Sequence, residues 1–251
     1  ECPQFSIENH VVTAAPNEKI APLRFDRSGA SGAITNHLTI NGRIAPGKSV
    51  TEGVAVPAPA LWAAVLLRQA LEQRGITVTG GAREATQSAK IRRHELARHD
   101  SPPLRVLLQR FLKKSDNLYA EMLLRAAVAP VPPGENAARR AHDRLRAWLQ
   151  ANGIATEGLR FEDGSGLSRY NLLTPRSLTK LLAAIEKLRG GEFLYDALPL
   201  AGRDGTLGKR MRSTPAENNV RAKTGSFSIA GNLSGYVTTR DGHRLAVSVL
   251  T

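Results

Sequence analysis

Two triplets in this chain carry side chains suited to acyl transfer. Ser115-Asp116-Asn117 places a hydroxyl, a carboxylate and an amide side by side, and Lys223-Thr224-Gly225 places an ammonium, a hydroxyl and a bare backbone. A serine acylated by a peptide needs a neighbouring group to move a proton to the leaving amine. Ser115, on a short loop, can relay that proton. The amide of Asn117 both donates and accepts, so it can hold a catalytic lysine and a substrate carbonyl together. Lys223 supplies positive charge for a substrate carboxylate and lowers the proton affinity of nearby hydroxyls. Thr224 can add a hydroxyl bond to that carboxylate. Gly225 lets a substrate backbone approach the strand closely, and the N–H of Ser226 can then point at the developing oxyanion. Singly, each triplet is weak: Ser-Asp-Asn is ordinarily a helix N-cap, and Lys-Thr-Gly is ordinarily the end of a strand.

Other motifs suggest chemistry and fail on spacing or context. Gly42-Arg43-Ile44-Ala45-Pro46-Gly47-Lys48-Ser49 fits a phosphate-loop pattern letter for letter. That chemistry needs a helix directly after the lysine, whereas Val50–Pro59 carries Gly53, Pro57 and Pro59. A β-turn is expected instead. His94 and His99 flank a Glu-containing run, but five residues of helix separate their directions by roughly 140°, so no metal is expected there. Ser177-Leu178-Thr179-Lys180 is a Ser-x-x-Lys within an ordinary amphipathic helix. Ser165, in Asp163–Ser168, lacks the spacing of a nucleophile elbow and reads as part of a Gly-rich turn.

The elements that must position the triplets follow from periodicity. Residues 1–57 alternate in short segments such as His37–Ile40, which predicts β structure with turns. Ala60–Arg74 has Leu61, Val65, Leu66 and Ala70 on one helical face, closed by Gly75. Ile76–Val78 predicts a short strand. Helices are predicted over Leu104–Phe111, from Ser115 through Leu123, over Glu135–Gln150 with Leu145, Trp148 and Leu149 inward, and from Thr174-Pro175 through Lys187. From Val220 the period becomes two, with a hairpin around Arg240-Asp241-Gly242. β-rich, then helical, then antiparallel: the order predicts an α+β fold.

The chain has 251 residues, 41% hydrophobic and 23% charged, with a net charge of +13. This composition supports an ordinary core and argues against disorder. No apolar run approaches the roughly 18 residues of a membrane helix, so no transmembrane segment is predicted. The one cysteine, Cys2, excludes an internal disulfide and a Cys-built zinc site. The positive charge favours acidic partners or an anionic envelope polymer, or is simply a solvated face. Aromatics are only 5% and do not interleave with the basic pairs Arg92-Arg93, Lys113-Lys114 and Arg139-Arg140, so nucleic acid is not expected.

In order, the chain also contains Ser101-Pro102-Pro103-Leu104, Lys114–Glu121, Asp163–Asn171, Ala201–Leu207, Arg221–Gly225 and Gly235-Tyr236-Val237. With these stretches it resembles the class C penicillin-binding proteins of the penicillin-binding protein 4 type, the S13 peptidase family of D-alanyl-D-alanine carboxypeptidases. Ser-Asp-Asn and Lys-Thr-Gly are the second and third parts of the signature of such enzymes. The resemblance implies a serine β-lactamase/transpeptidase-like domain, an antiparallel sheet flanked by helices, here incomplete. It assigns residues 93–251 to the C-terminal part of that domain and 1–92 to part of an inserted β-rich accessory domain.

The resemblance further implies Ser115, Asn117 and Lys223 as catalytic residues and Thr224, Gly225 and Ser226 as substrate-binding ones. No cofactor or metal is implied. Peptidoglycan muropeptides would be substrates, β-lactam antibiotics inhibitors, and the location periplasmic or otherwise extracytoplasmic. The family's Ser-x-x-Lys lies near the mature N-terminus, and this chain has none before Ser115. The sequence opens at Glu1 without a leader and stops inside an apolar alternating run. It therefore reads as an N-terminally truncated piece, with the acylated serine elsewhere. Rival readings are a catalytically silent fragment or binding module, a β-lactamase, and a phosphate-loop nucleotidase.

Overall fold

Alternating side chains form the first strands, but the alternation does not fix which strands pair. In the computed structural model, which describes residues 6–18, 20, 22–28, 34–84, 94–227 and 230–251, strands β1 (Ser6–Thr13), β2 (Arg24–Ser28) and β3 (Ile34–Ile44) form one sheet in the order β1-β3-β2. β1 runs parallel to β3, and β2 runs antiparallel to it. Leu38 of β3 is buried. Helix α1 (Pro59–Glu72) follows, with proline where a helix has no N–H bond to lose. Val65 is its buried residue, while Leu66, expected inward, is exposed. Ile76–Val78 forms no strand, and Ile76 is exposed: three residues without a partner strand bury too little to hold an extended ladder. These elements belong to one compact unit, Glu1–Arg92; the second is Arg93–Thr251. Cys2 and the pair Arg92-Arg93 lie outside the described residues.

The second unit joins helices α2 (Leu104–Lys114), α3 (Asn117–Ala126), α4 (Ala137–Ala151), α5 (Pro175–Glu186) and α6 (Gly191–Ala197) to strands β4 (Arg221–Phe227), β5 (Ala230–Thr238) and β6 (Arg244–Val249). The strands pair antiparallel in the order β4-β5-β6, giving an α+β architecture. Side chains start three of the helices: Asp116 accepts from the Tyr119 N–H, Asn136 from Ala138 and Arg139, and Thr174 from Ser177. Each such cap satisfies N–H groups that the helix itself leaves unpaired. Gly235 is required by close approach. A Cβ there would lie 2.1 Å from the Arg221 carbonyl oxygen, so only glycine lets β5 pair tightly with the strand that carries Lys223.

Two apolar clusters hold the elements in place. Leu112, Leu182, Ala197, Leu198 and Tyr236 form one, and Ala201, Leu207, Val220 and Ala222 the other. Each fully buried large side chain contributes about 1.5–3 kcal/mol. Tyr236 is 2% exposed, and its hydroxyl donates to the Leu182 carbonyl at 2.8 Å. Burial pushes its phenol up to about 12. Leu112 stands three residues before Ser115, and Ala222 immediately before Lys223. Packing therefore fixes the backbone at both triplets.

Candidate active site

α2 ends at Lys114, and Ser115 turns the chain in the left-handed region (φ 57°, ψ 48°) before Asp116 caps α3. This conformation costs a residue with a side chain about 1–2 kcal/mol. The turn leaves the Ser115 hydroxyl facing β4, where Lys223 Nζ donates to its Oγ at 2.7 Å. Nζ also donates to the Thr224 carbonyl at 2.6 Å. Burial pushes the Lys223 ammonium below the usual lysine range, because a low-dielectric setting disfavours its charged form.

Thr224 continues the network. Its hydroxyl donates to Thr206 Oγ1 at 2.8 Å, and Thr206 sits in a 3-10 turn over Gly205–Leu207. Asp204 fixes that turn. One carboxylate oxygen accepts from the Leu200 N–H at 2.9 Å, and both accept from Lys113 Nζ at 2.8 Å. Lys113 Nζ donates also to the Leu198 carbonyl at 2.6 Å. Burial opposes ionisation of Asp204, but the Lys113 and Leu200 bonds and the charges of Lys113 and Arg221 outweigh it and hold the carboxyl below its ordinary range. At Gly205 a Cβ would lie 2.9 Å from the Lys113 carbonyl oxygen, so the turn rests directly on the end of α2. A ring results: Lys113 to Asp204, Thr206 to Thr224, Lys223 to Ser115.

Of the other sequence-predicted residues, Asn117 opens α3 with an exposed side chain. Gly225 lies in β4 opposite Asn232, and a Cβ there would meet only the Asn232 side chain at 3.5 Å. The protein's own packing does not demand this glycine. Ser226 follows, exposed, opposite Gly231.

The Gly-rich segment around Ser165 is a scaffold. Asp163 accepts from the N–H groups of Gly166 (2.7 Å) and Ser168 (2.6 Å) and from Asn171 Nδ2 (2.8 Å). Glu121 Oε1 on α3 accepts from the N–H groups of Gly164 and Ser165 at 2.9 and 3.0 Å. Burial opposes ionisation of Asp163, yet its hydrogen bonds and the charge of His142 hold it below the ordinary carboxylate range.

The rival motifs resolve differently. After β3, Ala45–Lys48 is a turn closed by a bond from the Lys48 N–H to the Ala45 carbonyl, and no helix begins before Pro59. The phosphate-loop geometry is absent from residues 42–59. His94 and His99 are exposed in irregular chain. Among the described residues no group of three or more His, Cys, Asp or Glu side chains is placed to hold a metal ion. Ser177 is buried, and its hydroxyl serves a capping box: it donates to the Thr174 carbonyl at 2.8 Å and accepts from the Thr174 N–H at 3.1 Å. Lys180 is exposed.

Sequence reasoning missed Lys113, Asp204, Thr206 and Glu121 as members of this construction. Three of them stand inside stretches already notable for their composition. Only the fold shows that Lys113 meets Asp204 across 91 positions.

The fold matches that of a penicillin-binding protein. The chain belongs to the D-Ala-D-Ala carboxypeptidase 3 (S13) family, whose profile matches residues 9–251. It is 36% identical over 227 residues to a D-alanyl-D-alanine carboxypeptidase of an Actinomadura species, covering 86% of this chain and 41% of that protein. It is 34% identical over 189 residues to the D-alanyl-D-alanine carboxypeptidase DacB of Haemophilus influenzae, covering 74% and 39%. Penicillin binding protein 4 of Haemophilus influenzae superposes with a TM-score of 0.76 at 28% identity, over 98% of this chain and 54% of that one. The same protein complexed with a β-lactam gives 0.72 at 31% identity, over 99% and 56%. The chain thus spans about half, or less, of the length of the proteins it matches. Among the described residues no helix is long and apolar enough to cross a membrane.

Proposed function

We propose that this chain carries the second and third catalytic elements of a penicillin-sensitive serine D-Ala-D-Ala carboxypeptidase or endopeptidase acting on peptidoglycan stem peptides. The acylated serine belongs to a Ser-x-x-Lys outside these 251 residues. One observation supports this above the rest: Lys223 Nζ and Ser115 Oγ, 108 positions apart, meet at 2.7 Å.

The nucleophilic serine attacks the carbonyl carbon of the penultimate D-Ala, and its proton passes to a neighbouring base. Ser115 receives that proton and delivers it to the leaving amine as the peptide bond breaks. Water then hydrolyses the ester. Lys223, short of solvent and donating to Ser115, makes that hydroxyl a better proton donor and presents its charge to the substrate carboxylate. Asn117 orients the substrate amide, Thr224 and Gly225 line the strand, and the Ser226 N–H faces the oxyanion. β-Lactams acylate the same serine. Residues 1–92 are part of an inserted accessory domain, residues 93–251 are the C-terminal part of the catalytic domain, and the site works in the cell envelope, without nucleic acid, metal or cofactor.

The chain by itself is then a silent fragment or binding module, since its single Ser-x-x-Lys spends its hydroxyl on a helix cap. The test is intact-mass and peptide mapping after exposure to penicillin. The full-length protein that carries this stretch should gain one adduct on a serine outside residues 1–251. The 251-residue chain should gain none. An adduct on Ser177, or a full-length protein that is never acylated, overturns the proposal.

A further inference from the structure

The hydroxyl that keeps a proton next to Thr224 belongs to Thr206. Thr224 Oγ1 donates to Thr206 Oγ1 at 2.8 Å, so the Thr224 proton is spent inside the protein. A hydroxyl carries one proton and two lone pairs. Thr206, having accepted, keeps its own proton to donate. Its side chain is exposed, and among the described residues no group accepts that proton. A free donor stacked on a second hydroxyl, on the strand that bears a cation, suits an acceptor with two anionic oxygens.

The surroundings hold that donor still. The 3-10 turn bearing Thr206 rests on the end of α2, with Gly205 against the Lys113 carbonyl. Asp204 ties the turn to Lys113 through both carboxylate oxygens. Gly202 N–H donates to the Leu207 carbonyl at 3.0 Å and closes the segment. Leu207 is fully buried. A threonine on a turn anchored on both sides loses little side-chain freedom when it binds, which is the condition for one hydrogen bond to contribute strongly.

We propose that Thr206 is a carboxylate-recognition residue, donating to the C-terminal carboxylate of the stem peptide at the end of a relay from Thr224. This rests on the peptidase reading above. In it, Lys223 supplies charge, and the Thr224–Thr206 pair supplies direction, so that a donor with a free C-terminal carboxylate is favoured over the same acyl group without one.

The experiment uses the full-length protein that carries this stretch and compares two acyl donors. One is an N-acyl-D-alanyl-D-alanine. The other is the ethyl thioester of the same N-acyl-D-alanine, which shares the acyl group and has no carboxylate. Thr206→Val should lower kcat/KM for the dipeptide roughly ten- to hundredfold, the loss of one hydrogen bond to a charged group, mostly through KM. The thioester should change less than about twofold, and Thr206→Ser should restore the dipeptide reaction. Equal losses on both donors, or no loss on either, overturn the role of Thr206 and leave the peptidase reading standing. A wild-type protein that turns over neither donor overturns both.

Discussion

Ser115 and Ser177 stand in two regions that look alike on paper and differ in space. Each serine has a lysine close by in sequence: Lys114 beside the first, Lys180 three residues beyond the second. Neither of those lysines is its partner. Ser115, in a left-handed turn between two helices, meets Lys223 from a strand 108 positions away. Ser177 lies in the first turn of α5, buried, and bonds only to Thr174. The difference shows what frees a hydroxyl for chemistry. Inside a helix start, the nearest unsatisfied groups are the helix's own N–H and carbonyl groups, and they capture it. At a hinge, Asp116 has already taken the capping task, so the Ser115 side chain faces another element.

Substitutions can break the contrast. Lys223→Ala in the full-length protein should slow acylation by labelled penicillin at least about a hundredfold, since it removes both the charge and the donor to the proton relay. Lys180→Ala should leave the rate within about twofold. The opposite order would show that the helical Ser-x-x-Lys is the working one. Ser177→Ala should leave acylation unchanged yet lower stability by about 0.5–2 kcal/mol, the ordinary cost of a lost cap, read as a shift in a denaturant midpoint.

A smaller effect concerns pH. Asp163 and Asp204 are held below the ordinary carboxylate range, so their contribution to stability is complete above the unfolded-state value of 3.8. It is lost as pH falls through the lower folded values, where protonation favours the unfolded chain. Thermal melts from neutral pH downward should be nearly flat until about pH 5 and then fall. Asp163→Asn should fall less steeply. An unchanged slope would remove Asp163 as a source of the acid sensitivity.

The sequence made some of this legible and concealed the rest. Helices α2 to α5 carry periodic apolar residues, three of them also carry side-chain caps, and all four end near their predicted limits. The β5–β6 hairpin follows from alternation around Asp241-Gly242. α6 spans seven residues, too few for a period to stand out. The parallel pairing of β1 with β3 is not legible, because alternation specifies faces and not neighbours. Ile76–Val78 alternates without finding a partner. At the candidate site, Ser115 and Lys223 stand out by type and context. Lys113, Asp204 and Thr206 do not, because an ion pair or hydroxyl pair formed across 18 to 91 positions leaves no local pattern.

The most direct test of the Ser115–Lys223 pairing is a double-mutant cycle on the penicillin acylation rate, with Ser115→Ala, Lys223→Ala and the combination in the full-length protein. If the two side chains act as one proton-moving unit, the double variant should be no slower than the slower single one, a strongly non-additive result. Losses that simply multiply would show two groups acting independently and would contradict the pairing as the working centre of this site.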